Sequence, residues 1–124
     1  MIEFDLPAMR LFMAQTETPD LYKQPYVYRA YSTAGRLLYV GMGTDLRIRM
    51  RDHRRRADWW PYAYRFTVET GYPSFRDALK AERRAIVLEQ PTHNIHKPSR
   101  KRLASGALYP DDPELLAELD ALSI

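Results

Sequence analysis

A chain of 124 residues fits one small domain, because two ordinary hydrophobic cores need more chain than this. The absence of cysteine excludes disulfide bonds and thiolate zinc sites, and three histidines alone make a poor metal site. Residues 44–102 carry 15 Lys/Arg against 7 Asp/Glu, whereas residues 103–124 carry five acidic residues and no basic one. The basic segment favours a polyanionic partner, although an ordinary solvated surface explains the charge equally well.

The N-terminal segment, residues 1–24, lacks the basic and then apolar pattern of a secretory signal. No run of about 18 apolar residues occurs anywhere in the chain, so we expect no membrane segment and a cytoplasmic location. Within the N-terminal segment the pattern predicts a short helix around Ala8–Gln15.

A β-hairpin is predicted next. Tyr26–Tyr31 and Arg36–Val40 are rich in aromatic and β-branched residues, and STAG at residues 32–35 supplies turn residues between them. With a four-residue loop, Tyr28 would lie directly opposite Tyr39 on one face of the sheet. Such a pair of phenols either stabilises the sheet or belongs to a site, and both interpretations stay open at this point.

An arginine-rich helix is predicted after the hairpin, with Thr44 or Asp45 as its N-cap and an end near Ala57. Helical periodicity places Arg49 and His53 on or beside its apolar stripe. An arginine there needs an anion, because a guanidinium stays charged in proteins. The histidine is either a satisfied core residue or a catalyst. The remaining arginines of this helix point elsewhere and are candidates for solvated or phosphate-contacting residues: Arg47, Arg51, Arg54 and Arg55.

A third strand is predicted over Tyr62–Thr70, with Tyr62, Tyr64, Phe66 and Val68 on one face. The preceding tryptophans, Trp59 and Trp60, are interpreted as core residues, because large aromatic side chains dominate small cores.

A second amphipathic helix is predicted from Ser74, which with Asp77 resembles a capping box, to about Glu89. Its apolar positions bracket Glu82 and are Phe75, Ala78, Leu79, Ala85 and Ile86, whereas the basic residues expected on the other side are Arg76, Lys80, Arg83 and Arg84. An ionised carboxylate in a buried stripe needs a cationic partner. Glu82 is therefore either one half of a salt bridge, most naturally with Arg49, or a ligand of a divalent ion.

The end of the chain gives weaker signals. His93 and His96 have no third strong ligand nearby, so no metal site is predicted there. Lys97 begins a basic linker, KPSRKR, that is a candidate DNA contact, and Pro113–Leu122 reads as an acidic amphipathic helix. We expect this helix to pack on the domain or on a second copy of the chain, and a separate targeting partner stays open.

The order and spacing of these residues resemble the GIY-YIG nuclease family. Tyr26-Val27-Tyr28 precedes Tyr39-Val40-Gly41, and Tyr39 comes eleven residues after Tyr28. Arg49, His53, a helical Glu82 and Asn94 follow in the family's order. The resemblance covers roughly Pro25 to Lys97 and implies a small α/β (α+β) domain whose central antiparallel three-stranded sheet is flanked by helices. It divides the chain into an extension (1–24), a nuclease domain (25–97) and a C-terminal segment (98–124).

Carried over residue by residue, the resemblance makes Tyr28 and Tyr39 the two motif tyrosines and Arg49 the phosphate-contacting arginine. It makes Glu82 the single metal-binding carboxylate, with Mg²⁺ or Mn²⁺ as the ion. Asn94 matches a polar residue that holds the site together, and His53 matches a position that some branches fill with histidine. The implied function is a divalent-metal-dependent endonuclease that cuts DNA.

The general base is expected to be Tyr39, held by Tyr28, although an ordinary phenol must have its pKa lowered before it accepts a proton at neutral pH. Some branches place a lysine where this chain has Met42, so His53 becomes a helper or alternative base. The first motif has Tyr26 where the family has glycine. Two other interpretations stay open. One is a catalytically inactive nucleic-acid-binding module that uses the arginine helix, Trp59, Trp60 and Tyr62, and the other is a structural protein with a buried ion pair.

Overall fold

The computed structural model describes residues 1–94. In chain order its elements are β1 (Ile2–Asp5), α1 (Leu6–Met13), a 3₁₀ turn (Asp20–Tyr22), β2 (Tyr26–Ser32), β3 (Leu37–Gly43), α2 (Leu46–Arg56), a second 3₁₀ turn (Trp60–Tyr62), β4 (Ala63–Glu69) and α3 (Phe75–Glu89). The strands form one antiparallel sheet in the order β1-β4-β2-β3. The expected α+β class is confirmed, but the expected count of three strands is wrong, because this sheet has four.

The additional strand, β1, comes from the N-terminal segment. It pairs with β4 from Ile2 opposite Val68 to Asp5 opposite Arg65. A four-residue strand is too short to show a clear alternating pattern in the sequence. Asp5 then caps α1 by accepting a hydrogen bond of 2.8 Å from the backbone N–H of Ala8. The predicted helix therefore exists, but it begins two residues earlier than expected and ends at Met13.

The predicted hairpin forms from β2 and β3, but its register differs. Tyr28 lies opposite Gly41, and Tyr39 lies opposite Ala30. The pairing shifts between Ala30 and Tyr31, so counting back from a four-residue loop gives the wrong partners. The predicted direct pairing of the two phenols is wrong. They are instead diagonal neighbours on one face, with ring centroids 6.1 Å apart.

The sheet separates two hydrophobic clusters. One face of β2 packs with α1 and α2, where Met9, Leu46 and Met50 are fully buried. The other face carries Val27, Val40 and Met42 and packs against α3. The two helical layers therefore bring their polar side chains toward the sheet from opposite sides.

Strand β4 is close to its predicted range, but its exposed positions differ. Phe66 and Val68 are fully buried, as predicted, whereas Tyr62 and Tyr64 are largely exposed. Tyr62 belongs to the preceding 3₁₀ turn, and the pairing with β2 is irregular at this end, so strict alternation does not hold. The two tryptophans are buried, in agreement with their interpretation as core residues.

Helix α3 begins as predicted, because Ser74 Oγ accepts a 3.2 Å hydrogen bond from the backbone N–H of Asp77. Four of its five predicted apolar positions are buried: Ala78, Leu79, Ala85 and Ile86. Phe75 is instead exposed at the first turn, and Arg83, expected on the solvent side, is buried. The buried stripe is therefore wider than periodicity indicated, and it includes both Glu82 and its neighbour.

Lys97, the basic linker and the predicted helix Pro113–Leu122 lie outside the described residues, as does His96. The three-part division of the chain and the association with a second copy or a targeting partner stay predictions. Within residues 1–94, no helix has the length and apolar character needed to cross a bilayer.

Candidate active site

Helix α2 positions two of the predicted site residues. Asp45 is its N-cap and accepts a hydrogen bond from the backbone N–H of Ile48 at 3.3 Å. Thr18 Oγ1 donates to the same carboxylate at 2.6 Å, which ties the preceding loop to the start of the helix. The inward face of the helix buries His53, and Arg49 is partly buried beside it. Both side chains therefore point toward the sheet, as periodicity predicted.

Tyr28 is fully buried and contacts both predicted site residues of α2. Its hydroxyl is hydrogen-bonded to Nε2 of His53, and Arg49 Nε donates to the same oxygen at 3.3 Å. Gly41, opposite Tyr28 on β3, leaves room for this ring, because a Cβ there would lie 2.3 Å from the phenolic oxygen. The structure thus brings together Tyr28, Arg49 and His53.

Tyr39, the second motif tyrosine, packs against two rings of the site. Its ring stacks on Trp59, with centroids 5.1 Å apart and an interplanar angle of 18°, and it meets the ring of His53 edge-on at 5.2 Å. Trp59 is therefore a packing surface for the second motif tyrosine, a role that the sequence did not indicate. Tyr39 is also the motif tyrosine that borders open space.

That open space is a cleft of about 290 Å³. Its lining is mostly charged or aromatic and consists of Tyr39, Arg49, Asp52, His53, Arg56, Ala57, Asp58, Trp59 and His93. Three of these residues were not predicted from the sequence to line a cleft: Arg56, Asp58 and His93. They lie at the end of α2 or in irregular segments, where periodicity gives no information about direction.

Glu82, the carboxylate predicted for the site, lies on α3 with 0% exposure and is not among the residues that line the cleft. Among residues 1–94, neither of its carboxylate oxygens has a hydrogen-bond partner. Its ion-pair contact within residues 1–94 is with Arg83, whose Nη1 lies 3.6 Å from Oε1, and not with Arg49, the partner that one of the two open alternatives favoured. Burial raises the pKa of Glu82 to about 7, against the charges of Arg83 and Arg49, which lower it. A buried carboxylate without hydrogen-bond partners and with a raised pKa is a strong candidate for a cation ligand.

The ionisation of the other site residues follows from burial. Loss of hydration raises the pKa of Tyr28 well above its ordinary value and raises that of Tyr39 to about 12, while Arg49 lowers both. Burial and the adjacent Arg49 charge lower the pKa of His53 to about 3. His53 is therefore a neutral imidazole near pH 7, whose Nε2 can accept a hydrogen bond from the hydroxyl of Tyr28.

Asn94 does not line the cleft, and its side chain is hydrogen-bonded to the backbone of β3. Its Oδ1 accepts a hydrogen bond from Val40 N at 2.9 Å, and its Nδ2 donates to Val40 O at 3.0 Å. The backbone N–H groups of Thr92 and His93 also donate to Leu37 O and Leu38 O, at 3.2 and 2.8 Å. This segment satisfies the outer edge of β3 and fixes the strand that carries Tyr39.

The outer arginines of α2 differ in their surroundings. Arg51, Arg54 and Arg55 are exposed, whereas Arg47 is partly buried and donates from Nε to Thr18 Oγ1 at 3.3 Å. Within the described part of the chain, no three His, Cys, Asp or Glu side chains are grouped so as to hold a metal ion.

The GIY-YIG catalytic domain family matches residues 24–95. Because this match covers more than half of the chain, the protein belongs to the GIY-YIG family, a family of nucleases that are generally endonucleases. No curated protein and no solved structure gave a significant match.

Proposed function

We propose that the protein is a divalent-metal-dependent endonuclease that hydrolyses DNA phosphodiester bonds in the cleft beside Tyr39. The observation that carries this proposal is the convergence of Tyr39, Arg49 and His53 on one open cleft. A core alone does not require a cation, a phenol and an imidazole at the same opening. Phosphodiester hydrolysis requires positive charge and proton acceptors in one place.

Arg49 would stabilise the phosphate. Its guanidinium lines the cleft while its Nε is engaged with Tyr28, so the other nitrogens are oriented before substrate arrives. A guanidinium forms strong, paired hydrogen bonds with phosphate oxygens, and these strengthen as negative charge develops on them. Tyr28 and His53 act as the support that fixes this cation.

Glu82 would hold the metal ion. Apart from the ion pair with Arg83, its buried oxygens have no hydrogen-bond partner among residues 1–94, which suits a hard cation, and Mg²⁺ is often bound by only one or two protein carboxylates, with water and phosphate oxygens as its other ligands. Mn²⁺ prefers the same oxygen ligands. When bound, the ion would supply positive charge for the phosphate and for the departing oxygen.

Tyr39 is our choice of general base, because it is the motif tyrosine that lines the cleft, whereas Tyr28 is fully buried. The attacking water would give its proton to the phenolate oxygen as its own oxygen bonds to phosphorus. Burial opposes formation of that phenolate, since it raises the pKa of Tyr39 to about 12, and the Arg49 charge acts in the opposite direction. Met42 stands where some branches of the family have a lysine, and its side chain packs against α3, away from the phenol of Tyr39. This position therefore supplies no cation that would lower the pKa of Tyr39.

DNA is the proposed substrate, because Arg51, Arg54 and Arg55 are exposed on the helix that also supplies Arg49 to the cleft. Arg56 lies at the end of this helix and lines the cleft itself. Such a row of guanidinium groups suits contacts with successive phosphates. We also propose that the protein is cytoplasmic, as expected from the sequence.

The test is cleavage of supercoiled plasmid with Mg²⁺ or Mn²⁺ by wild type, Glu82→Gln and Glu17→Gln. The control Glu17 is exposed in a loop. We expect nicked or linear DNA from wild type and Glu17→Gln, and a loss of about 100-fold or more for Glu82→Gln. Equal cutting by Glu82→Gln, or no cutting by wild type, would overturn the proposal.

Unfolding of the metal-free proteins separates the metal ligand from a structural ion pair. If Glu82 is a metal ligand, Glu82→Gln should leave the free energy of unfolding unchanged or raise it, because an incompletely paired buried charge is removed. A loss of about 3–5 kcal/mol would instead indicate that Glu82 serves the fold.

The inactive binding module remains the second candidate, favoured by the exposed arginines of α2. Its expected aromatic contacts are reduced, because Trp59 and Trp60 are buried and only Tyr62 is largely exposed. Salt-sensitive DNA binding by wild type without cleavage in either metal would favour this module over the enzyme.

A further inference from the structure

A histidine and an aspartate in contact at the cleft, His93 and Asp58, have no role in the proposed hydrolysis so far. His93 Nδ1 lies 3.5 Å from Asp58 Oδ1, and both residues line the cleft beside Tyr39. Asp58 is 79% exposed and His93 26% exposed, so the pair is open to solvent and substrate. A histidine that is partly shielded, paired with a carboxylate and adjacent to a candidate nuclease site is able to exchange protons with a bound ligand.

The backbone holds His93 next to Tyr39. His93 N donates to Leu38 O at 2.8 Å, and the side chain of Asn94 binds both backbone groups of Val40. Leu38 and Val40 are the chain neighbours of Tyr39 on β3. The position of His93 relative to the phenol is therefore set by hydrogen bonds to the same strand.

The proposed hydrolysis needs a proton for the departing ester oxygen, and the other site residues are poor donors. His53 is a neutral imidazole near pH 7, because burial lowers its pKa to about 3. Arg49 stays protonated throughout, since guanidinium groups do not lose their proton in proteins. Glu82 has 0% exposure.

We propose that His93 is the general acid of the reaction and that Asp58 is its positioning residue; this inference rests on the proposed function. Because Nδ1 is the ring nitrogen near Asp58, Nε2 is the nitrogen that would carry the donated proton. As the bond between phosphorus and the departing oxygen breaks, that oxygen takes the proton from Nε2 and His93 becomes neutral. Solvent then returns a proton to the imidazole, which completes the proton balance.

The test compares two oligonucleotide duplexes that differ at the scissile bond, one with the natural bridging 3′ oxygen and one with sulfur in its place. A thiolate leaves without needing a proton. We expect His93→Gln to lose about 100-fold or more in single-turnover rate on the oxygen substrate but to stay within about threefold of wild type on the sulfur substrate. An equal loss on both substrates, or no loss on either, would overturn the proposal.

Two further variants make the outcome specific. Asp58→Asn should reduce the single-turnover rate on the oxygen substrate more than on the sulfur substrate, whereas Asp20→Asn, an exposed control in the first 3₁₀ turn, should match wild type on both. An equal effect of Asp58→Asn on the two substrates, or no effect, would contradict its positioning role. If wild type cuts neither duplex, the proposed function itself fails and this inference fails with it; if wild type cuts both and His93→Gln matches it, only the general acid is wrong.

Discussion

Arg49 Nε donates a hydrogen bond of 3.3 Å to the phenolic oxygen of Tyr28, and this contact joins α2 to β2 at the candidate active site. The same oxygen is bonded to Nε2 of His53. Burial has the largest influence on the pKa values of the site, and the guanidinium charge lowers those of Tyr28, Tyr39, His53 and Glu82. One cation therefore acts on the ionisation of every titratable member of the predicted catalytic set.

Replacing Arg49 by lysine should separate geometry from charge. Lysine keeps the positive charge but has no planar fork, so it cannot bind Tyr28 and a phosphate together. We expect a loss of about 100-fold or more in kcat/KM for plasmid nicking. The matched control is Arg10→Lys on the exposed face of α1. Wild-type activity in Arg49→Lys would show that charge alone is sufficient.

Gly41→Ala tests the space reserved for Tyr28. The added Cβ would lie 2.3 Å from Oη and 2.4 Å from Cζ, so the ring must move. Forced repacking of this kind commonly costs about 1–3 kcal/mol. Gly43→Ala is the comparison, because its Cβ would lie 2.6 Å from the hydroxyl of Tyr26, which does not line the cleft. Both variants should be less stable by chemical denaturation, but Gly41→Ala should lose more cleavage activity at a temperature where both are folded.

Asn94→Asp tests the fixation of β3. An aspartate cannot donate to Val40 O, so one of the two hydrogen bonds is lost and two acceptors face each other. The free energy of unfolding should fall by about 1–2 kcal/mol, with reduced cleavage as Tyr39 loses its fixed position. Thr92→Val is the control, since it keeps the backbone hydrogen bond to Leu37 O. Equal behaviour of the two variants would argue against a specific role for the amide.

The buried His53 should make folding sensitive to acid. Its pKa falls from 6.5 to about 3 in the folded protein, so between these values the unfolded chain binds more protons. The stability that this residue contributes is present above pH 6.5 and is lost as pH falls toward 3. Between pH 6.5 and about 4, wild type should lose roughly 2–3 kcal/mol relative to His53→Gln in urea unfolding. Parallel curves for the two proteins would contradict a buried neutral imidazole.

The outer arginines of α2 should govern the salt dependence of DNA binding. Replacing Arg51, Arg54 and Arg55 together by glutamine should flatten the plot of log affinity against log salt by about 0.9 per lost phosphate contact. The measurement uses fluorescence anisotropy without divalent metal, so that binding is seen without cleavage. Arg10→Gln should leave the slope unchanged, and an unchanged slope in the triple variant would place the DNA elsewhere.

Local patterns gave most of the elements correctly, because each depends on nearby residues. Apolar periodicity and caps predicted α2 and α3 closely, and the aromatic β-branched runs predicted β2, β3 and β4. The sequence pattern did not predict β1, because these four residues form a strand only through pairing with the open edge of β4. It also failed at the register of the hairpin, where an irregularity inside the strand moves every pair beyond it.

The sequence alone determined that Glu82 would be a buried carboxylate and that Arg49 and His53 would point inward together, because helical periodicity fixes which side chains share a face. Only the tertiary structure decided what those side chains meet. Packing placed Tyr28 between Arg49 and His53 and left Glu82 beside Arg83, and it brought Asp58 and His93 to the opening next to Tyr39. Contacts between segments distant along the chain depend on how sheet and helices dock, which no local spacing encodes.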